Sequence, residues 1–173
     1  RFVGGCVRDT LFSGPTPKKN PDIDIATPDS PQEVIRLLED ASIKYIPSGI
    51  KYGTITAVVK NYVFEITSLR TDVKTYGRHA DVTFINDWMQ DAARRDFTIN
   101  AMMVNSLGDL YDPWNGIKDL EMGVVRFIGN ANDRIQEDHL RILRFFRFHA
   151  WYGSNAPDPA ALKACANGLT FLK

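Results

Sequence analysis

The sequence is poor in cysteine, in long apolar runs and in net charge, and each shortage excludes something. Its two cysteines, Cys6 and Cys165, lie far apart and form no CxxC pair. That argues against a zinc site or a disulfide framework and fits a reducing cytoplasm. No apolar run approaches the ~18 residues that span a bilayer, and no signal-peptide pattern opens the chain, so no membrane partner is expected. Its 21 Lys and Arg balance 21 Asp and Glu, so a polyanion would have to be met by local clusters of cations. His79, His139 and His149 lack metal-ligand spacing and read as structural or surface groups. There is no repeat and no low-complexity tract. What remains is an ordinary globular composition, 44% hydrophobic and 24% charged, long enough at 173 residues to bury one core and begin a second domain. The pattern starts inside a strand at Phe2-Val3 and stops at Lys173 without a break signal, which reads as a fragment of a longer protein.

What is present is concentrated near the start. Gly4-Gly5-Cys6-Val7-Arg8-Asp9 precedes Pro21-Asp22-Ile23-Asp24-Ile25 by a short loop. Strand alternation places Asp22 and Asp24 on one face, with backbones roughly 6.5–7 Å apart, so that both carboxylates can converge on a hard divalent cation such as Mg²⁺. The glycines let the backbone approach a phosphate, and Arg8 can pair with its charge. A phosphate cradle followed by a carboxylate clamp is what nucleotidyl transfer needs; the competing reading is a polar turn beside a half-buried strand.

Local signals give a mixed α and β pattern that turns helical in its last third. Strands are expected at Phe2-Val3, Asp22–Ala26, Ile43–Ile46 and Val124–Ile128, with hairpins over Thr54–Val59 and Tyr62–Ser68 and around Gly108. Helices are expected over Cys6–Phe12, from Ser30 as N-cap through Glu39, and over Asp87–Ala93, Phe97–Met103, Asn132–Gln136 and Glu137–Tyr152. A last helical stretch follows Pro157 and Pro159. Residues 70–85 lack clear periodicity and read as a loop; within it Arg78-His79 could touch a nucleic acid backbone. Trp88, Trp114 and Trp151 read as packing residues. A boundary falls near residues 115–125.

Three further clusters carry chemistry. Glu65, between Phe64 and Ile66, is either a third carboxylate of the site or an edge glutamate in solvent. Arg94-Arg95-Asp96-Phe97-Thr98-Ile99-Asn100 could clamp a triphosphate through its arginines and bind a ribose hydroxyl through Asp96 or Asn100, or could be a capped turn with solvated charges. On the helix after Glu137, Asp138 and Arg141 are i,i+3 neighbours that can present an acceptor and a forked donor to a nucleobase edge, or form a surface ion pair. Arg144 and Arg147 continue on the same broad side, while Leu140, Leu143, Phe146 and Ala150 form the expected buried stripe.

Taken in order, these motifs resemble the class II tRNA nucleotidyltransferase and bacterial poly(A) polymerase family of the polymerase-β-like nucleotidyltransferases. The matching stretches are Gly4-Gly5-x-Val7-Arg8-Asp9 with Asp22-x-Asp24; Glu65-Ile66-Thr67-Ser68-Leu69-Arg70; Arg94-Arg95-Asp96-Phe97-Thr98-Ile99-Asn100-Ala101; Asp112-Pro113-x-x-Gly116-x-x-Asp119-Leu120; and Glu137-Asp138-x-x-Arg141 with Arg144 and Arg147. The resemblance implies an α+β fold: a catalytic head with a mixed five-stranded sheet and helices over residues 1–120, then the start of an all-helical neck over 121–173. It implies two Mg²⁺ ions on Asp22 and Asp24 with Glu65 assisting, and a triphosphate held at Gly4, Gly5 and Arg8. Arg95, Asp96 and Asn100 would contact nucleotide phosphate and ribose. Asp138 and Arg141 would pair with the incoming base, supported by Arg144 and Arg147, and the turn at Asp112–Leu120 would be a hinge. His139 departs from the small residue or proline usual there. The implied reaction is template-independent addition of CCA to tRNA from CTP and ATP, in the cytoplasm, with a homodimer left open through regions outside this chain. Poly(A) synthesis or CC-only or A-only addition shares these motifs. A small-molecule nucleotidyltransferase would not need Asp138-x-x-Arg141, and loss of a metal carboxylate would have favoured a non-catalytic RNA-binding module.

Overall fold

The computed structural model describes residues 1–14, 22–76 and 79–172, with the side chains of 74–76 and 79–81 left aside. Pro21 and Arg78, which the sequence singled out, lie outside the described residues. The chain runs β1 (Phe2–Val3), α1 (Gly5–Ser13), β2 (Ile23–Thr27), α2 (Pro31–Asp40), β3 (Lys44–Gly49), β4 (Thr54–Val59) and β5 (Tyr62–Ser68). It continues with β6 (Arg70–Tyr76), β7 (His79–Phe84), α3 (Trp88–Ala93), β8 (Met103–Val104) and β9 (Leu110–Tyr111). The remaining elements are α4 (Gly116–Glu121), α5 (Ala131–Glu137), α6 (Leu140–Tyr152) and α7 (Pro159–Gly168).

The main sheet has the order β3-β4-β5-β2-β1-β8-β9. Its first five strands are the mixed sheet expected for the head, and two two-residue strands extend it past β1. The β4–β5 hairpin turns at Lys60-Asn61, with Lys60 at φ 56. β2 pairs parallel with β5 and antiparallel with β1. Ser30 caps α2 as its sequence foretells, its hydroxyl accepting from the Glu33 amide at 3.2 Å with Pro31 in the first turn.

Several expectations need correction. Residues 70–85 are not a loop: β6 and β7 pair as a separate antiparallel ribbon with a register shift between Asp72 and Lys74. A two-stranded ribbon standing off the core needs no continuous apolar face, and the shift breaks its alternation. The helix expected over Phe97–Met103 is a single 3₁₀ turn, Thr98–Asn100, leading into β8. Phe97 itself is extended and forms an isolated bridge with Phe127, which is what the strand expected over Val124–Ile128 amounts to. The helix expected from Glu137 to Tyr152 starts only at Leu140, because Asp138 is extended and its Oδ1 accepts from the Leu140 amide at 3.0 Å. On α6 the buried side is Ile142, Phe145, Phe148 and Tyr152, whereas Leu143, Phe146 and Trp151 are exposed. Both stripes have helical spacing, and packing partners choose between them.

Val7, Phe97, Ile99 and Met102 from the sheet side share one core with Ile142, Phe145, Phe148 and Tyr152 of α6 and with the buried face of α7. The Phe97 ring centre lies 4.8 Å from that of Phe127 and 5.3 Å from that of Phe148, tilted to both. The turn at Asp112–Leu120 is part of this joint. Asp112 caps α4 by accepting from the Gly116 and Ile117 amides at 2.7 and 2.9 Å, and Asp119 accepts from the Thr98 hydroxyl at 2.7 Å. A Cβ on Gly116 would lie 2.3 Å from the Thr98 carbonyl oxygen, so only glycine fits there.

Candidate active site

The parallel register of β2 and β5 sets Asp24 directly beside Glu65. Asp22 immediately precedes β2 and is exposed, while Asp24 is half-buried. Burial pushes the Asp24 carboxyl above its usual range, the charges of Asp22 and Glu65 push it further, and Arg95 partly offsets them. Gathered hard oxygens that repel one another fit a divalent cation, which would relieve the repulsion. Among the described residues, however, no three His, Cys, Asp or Glu side chains cluster closely enough to hold a metal ion. The carboxylates that could meet such an ion are Asp22 and Asp24, with Glu65 beside Asp24, short of a three-residue set.

Asp22 and Asp24 form one wall of a cavity of about 820 Å³. Gly4 and Gly5 border it where α1 begins. Gly4 sits at φ 69, a conformation that favours glycine, while a Cβ there would make only ordinary contact with Arg95 at 3.4 Å and an Asp24 oxygen at 3.9 Å. Across the cavity stand Asp138 and Arg141, from the α5–α6 junction, and Arg144 and Arg147 on α6. Arg95, Asp96 and Asn100 line it from the loop after α3, with Arg8 from α1. Among its lining residues six arginines face four aspartates, so the cavity favours an anionic ligand. Glu65 alone of the expected site residues does not line it.

The side chains are not equally available. Arg8 is buried, donates to Asn100 Oδ1 and to Asp9 Oδ1 at 2.7 and 2.9 Å, and lies 4.5 Å from the Tyr152 ring centre. Tyr152 in turn donates to Asp9 at 2.7 Å. Asp96 uses both oxygens internally: Oδ1 accepts from the Phe97 amide and Asn100 Nδ2, and Oδ2 accepts from Arg144 at 2.5 and 2.7 Å. Arg141 pairs with Glu137 at 2.6 Å and donates to the Arg94 and Arg134 carbonyls, so its partner is Glu137 and not Asp138. Asp138 keeps one oxygen without a hydrogen bond among the described residues. Arg147 forms no ion pair or hydrogen bond among them and lies 5.4 Å from the Phe148 ring centre.

Sequence reasoning missed Asp91. It is 1% exposed and accepts from Arg94 Nε at 2.9 Å and Arg95 Nη2 at 3.0 Å. Burial pushes its carboxyl up, but the two arginines outweigh burial and hold it below the usual range. The i,i+3 and i,i+4 spacing from Asp91 to Arg94 and Arg95 was the available signal.

Comparison with known proteins shows what the chain is similar to. The chain is 49% identical over 160 residues to "CCA tRNA nucleotidyltransferase 1, mitochondrial" of Danio rerio, covering 92% of this chain and 36% of that protein. Its fold superposes on a Bacillus stearothermophilus CCA-adding enzyme solved in complex with CTP with a TM-score of 0.80 and 34% identity, covering 94% of this chain and 37% of that one. A tRNA nucleotidyltransferase solved with a primer tRNA and an incoming ATP analog matches with a TM-score of 0.74 and 25% identity, over 98% of this chain and 46% of that one. The chain thus spans between about a third and a half of these proteins. The model of the poly A polymerase head domain matches residues 1–126, nearly three-quarters of the sequence, and the chain belongs to that family.

Proposed function

We propose that the protein of which this chain is part adds CCA to the 3′ end of tRNA from CTP and ATP, releasing pyrophosphate. The carrying observation is one cavity in which Asp22 and Asp24 share walls with Asp138, Arg141, Arg144 and Arg147. The names of the similar proteins, one solved with CTP and one with primer tRNA, support the same reading. Within it, residues 1–120 are the catalytic head and 121–173 the start of the neck. A reducing compartment such as the cytoplasm suits the two free thiols, and any homodimer would form through regions outside this chain.

The chain's own residues would act as follows. The glycine backbone at Gly4 and Gly5, where α1 begins, lets the triphosphate come close, with the Gly5 amide as a donor, since that of Gly4 already donates to the Met102 carbonyl at 3.3 Å. Arg147, without an ion pair or hydrogen bond among the described residues, can meet its charge, while Arg8 lines the cavity as a guanidinium already paired with Asp9. The unpaired oxygen of Asp138 and the guanidinium of Arg141 offer an acceptor and donors to a base edge. Asp96 holds Arg144 and Asn100 in place and thereby fixes the sheet against α6. Asp22 and Asp24 would hold Mg²⁺, which when bound supplies Lewis acidity, lowering the pKa of the acceptor hydroxyl and neutralising the triphosphate.

The test is extension of a tRNA transcript lacking its last three nucleotides by the full-length protein with Mg²⁺, with products sized at single-nucleotide resolution. Two additions with CTP alone and a stop at three with CTP and ATP are expected. A long ladder with ATP alone would make it a poly(A) polymerase, and no extension would overturn the reading.

A further inference from the structure

Arg70 has no task in the nucleotide reading, yet it lines a second cavity of about 210 Å³ that meets the first at Asp24, Arg94 and Arg95. The other polar walls are Glu65, Asp91 and the threonines Thr54 and Thr67, whose hydroxyls bond to each other at 3.0 Å. This space is too small for a further nucleotide and suits a single charged group with its sugar. Both oxygens of Asp91 are taken by Arg94 and Arg95, leaving Arg70 only a long 3.3 Å contact from its backbone amide. The Arg70 guanidinium donates through Nη1 to the Tyr52 carbonyl, while its Nε is buried with no partner; the Nε of Arg95 is buried and unpartnered as well. Burial first, then the neighbouring charge of Arg94, holds the Arg70 guanidinium below its ordinary proton affinity, and the charges of Asp72 and Asp91 only partly offset them.

Transfer needs two substrates at one pair of carboxylates. The first cavity has cations of its own for a triphosphate, so the acceptor hydroxyl must come to Asp24 from another side. An RNA 3′ end carries a phosphodiester one ribose away from that hydroxyl. We propose that Arg70, with Arg95, holds the last internucleotide phosphate of the acceptor RNA on the Glu65 side of Asp24. The inference rests on the nucleotidyl-transfer reading and adds to it where the acceptor strand sits. A backbone contact carries no sequence information, so it serves acceptors of any terminal base alike.

The experiment uses the full-length protein and two acceptor RNAs, one unmodified and one whose last internucleotide phosphate is a neutral methylphosphonate. The wild type should lose about tenfold or more in kcat/KM on the neutral linkage. Arg70→Ala should raise the KM for the unmodified acceptor by a similar factor, leave the KM for CTP unchanged, and show no further loss on the neutral linkage. Arg70→Lys should recover part of the loss. Equal use of both RNAs by the wild type overturns the proposal without any variant having to fold, and so do additive losses in Arg70→Ala. Failure of the wild type to extend even the unmodified RNA overturns instead the reading on which the proposal rests.

Discussion

At Asp24 burial and two like charges act on one carboxyl, and only Arg95 works against them. Such a group is maintained against its own electrostatic cost, as catalytic carboxylates are. Asp22→Ala or Asp24→Ala should abolish nucleotide incorporation while leaving the thermal unfolding midpoint essentially unchanged, since neither side chain belongs to the core; activity near wild type in either variant would refute the assignment. Asp91 is the opposite case. It is buried and carries two arginines, so Asp91→Asn should lower unfolding free energy by about 3 kcal/mol in denaturant titration. Asp22 and Asp24 could be read from sequence because strand alternation alone aligns them. Asp91 could not be read so easily, because its meaning lies in how deeply α3 buries it. The pairing of Arg141 with Glu137, and of Arg144 with Asp96 some fifty residues away, depends on tertiary placement that no local spacing encodes.

Among the elements, those with strong local punctuation were legible: the Ser30-Pro31 start of α2, the β4–β5 hairpin and the β8–β9 turn at Gly108. The ribbon of β6 and β7 escaped because a polar two-stranded unit with a register shift shows neither period cleanly. Helix α6 is apolar around most of its circumference, so the pattern offered two stripes and the wrong one was expected inside; Leu143 is 57% exposed while Phe145 is fully buried. On α7, burial pushes the Cys165 thiol up to about 11 from its ordinary 9.0. Between those values the unfolded chain has ionised this thiol and the folded chain has not, so the folded state binds more protons and stability falls as pH rises through the window. Unfolding titrations at pH 8 and pH 10.5 should therefore show a larger loss for the wild type than for Cys165→Ala.

Over the whole molecule, the proposed division into head and neck does not divide the core. Phe97 and Ile99 pack with Phe145 and Phe148 in one cluster, and Tyr152 reaches Asp9 beside Arg8. A chain cut after Leu120 would expose that face, and it should show weak near-ultraviolet circular dichroism and rapid proteolysis, whereas residues 1–173 should resist both. The α+β class was legible from the alternation of strand and helix patterns, but this shared core was not, because nothing local in Phe97 names a partner in α6. The parallel pairing of β2 with β5 has a consequence for synthesis. A hairpin such as β4–β5 closes between near neighbours, but setting Glu65 beside Asp24 closes a loop of roughly forty residues, and α6 must then arrive from far down the chain. A polypeptide still emerging from the ribosome can hold its carboxylates and its glycines and yet be inert, because Arg141, Arg144 and Arg147, which complete the cavity, are made well after them.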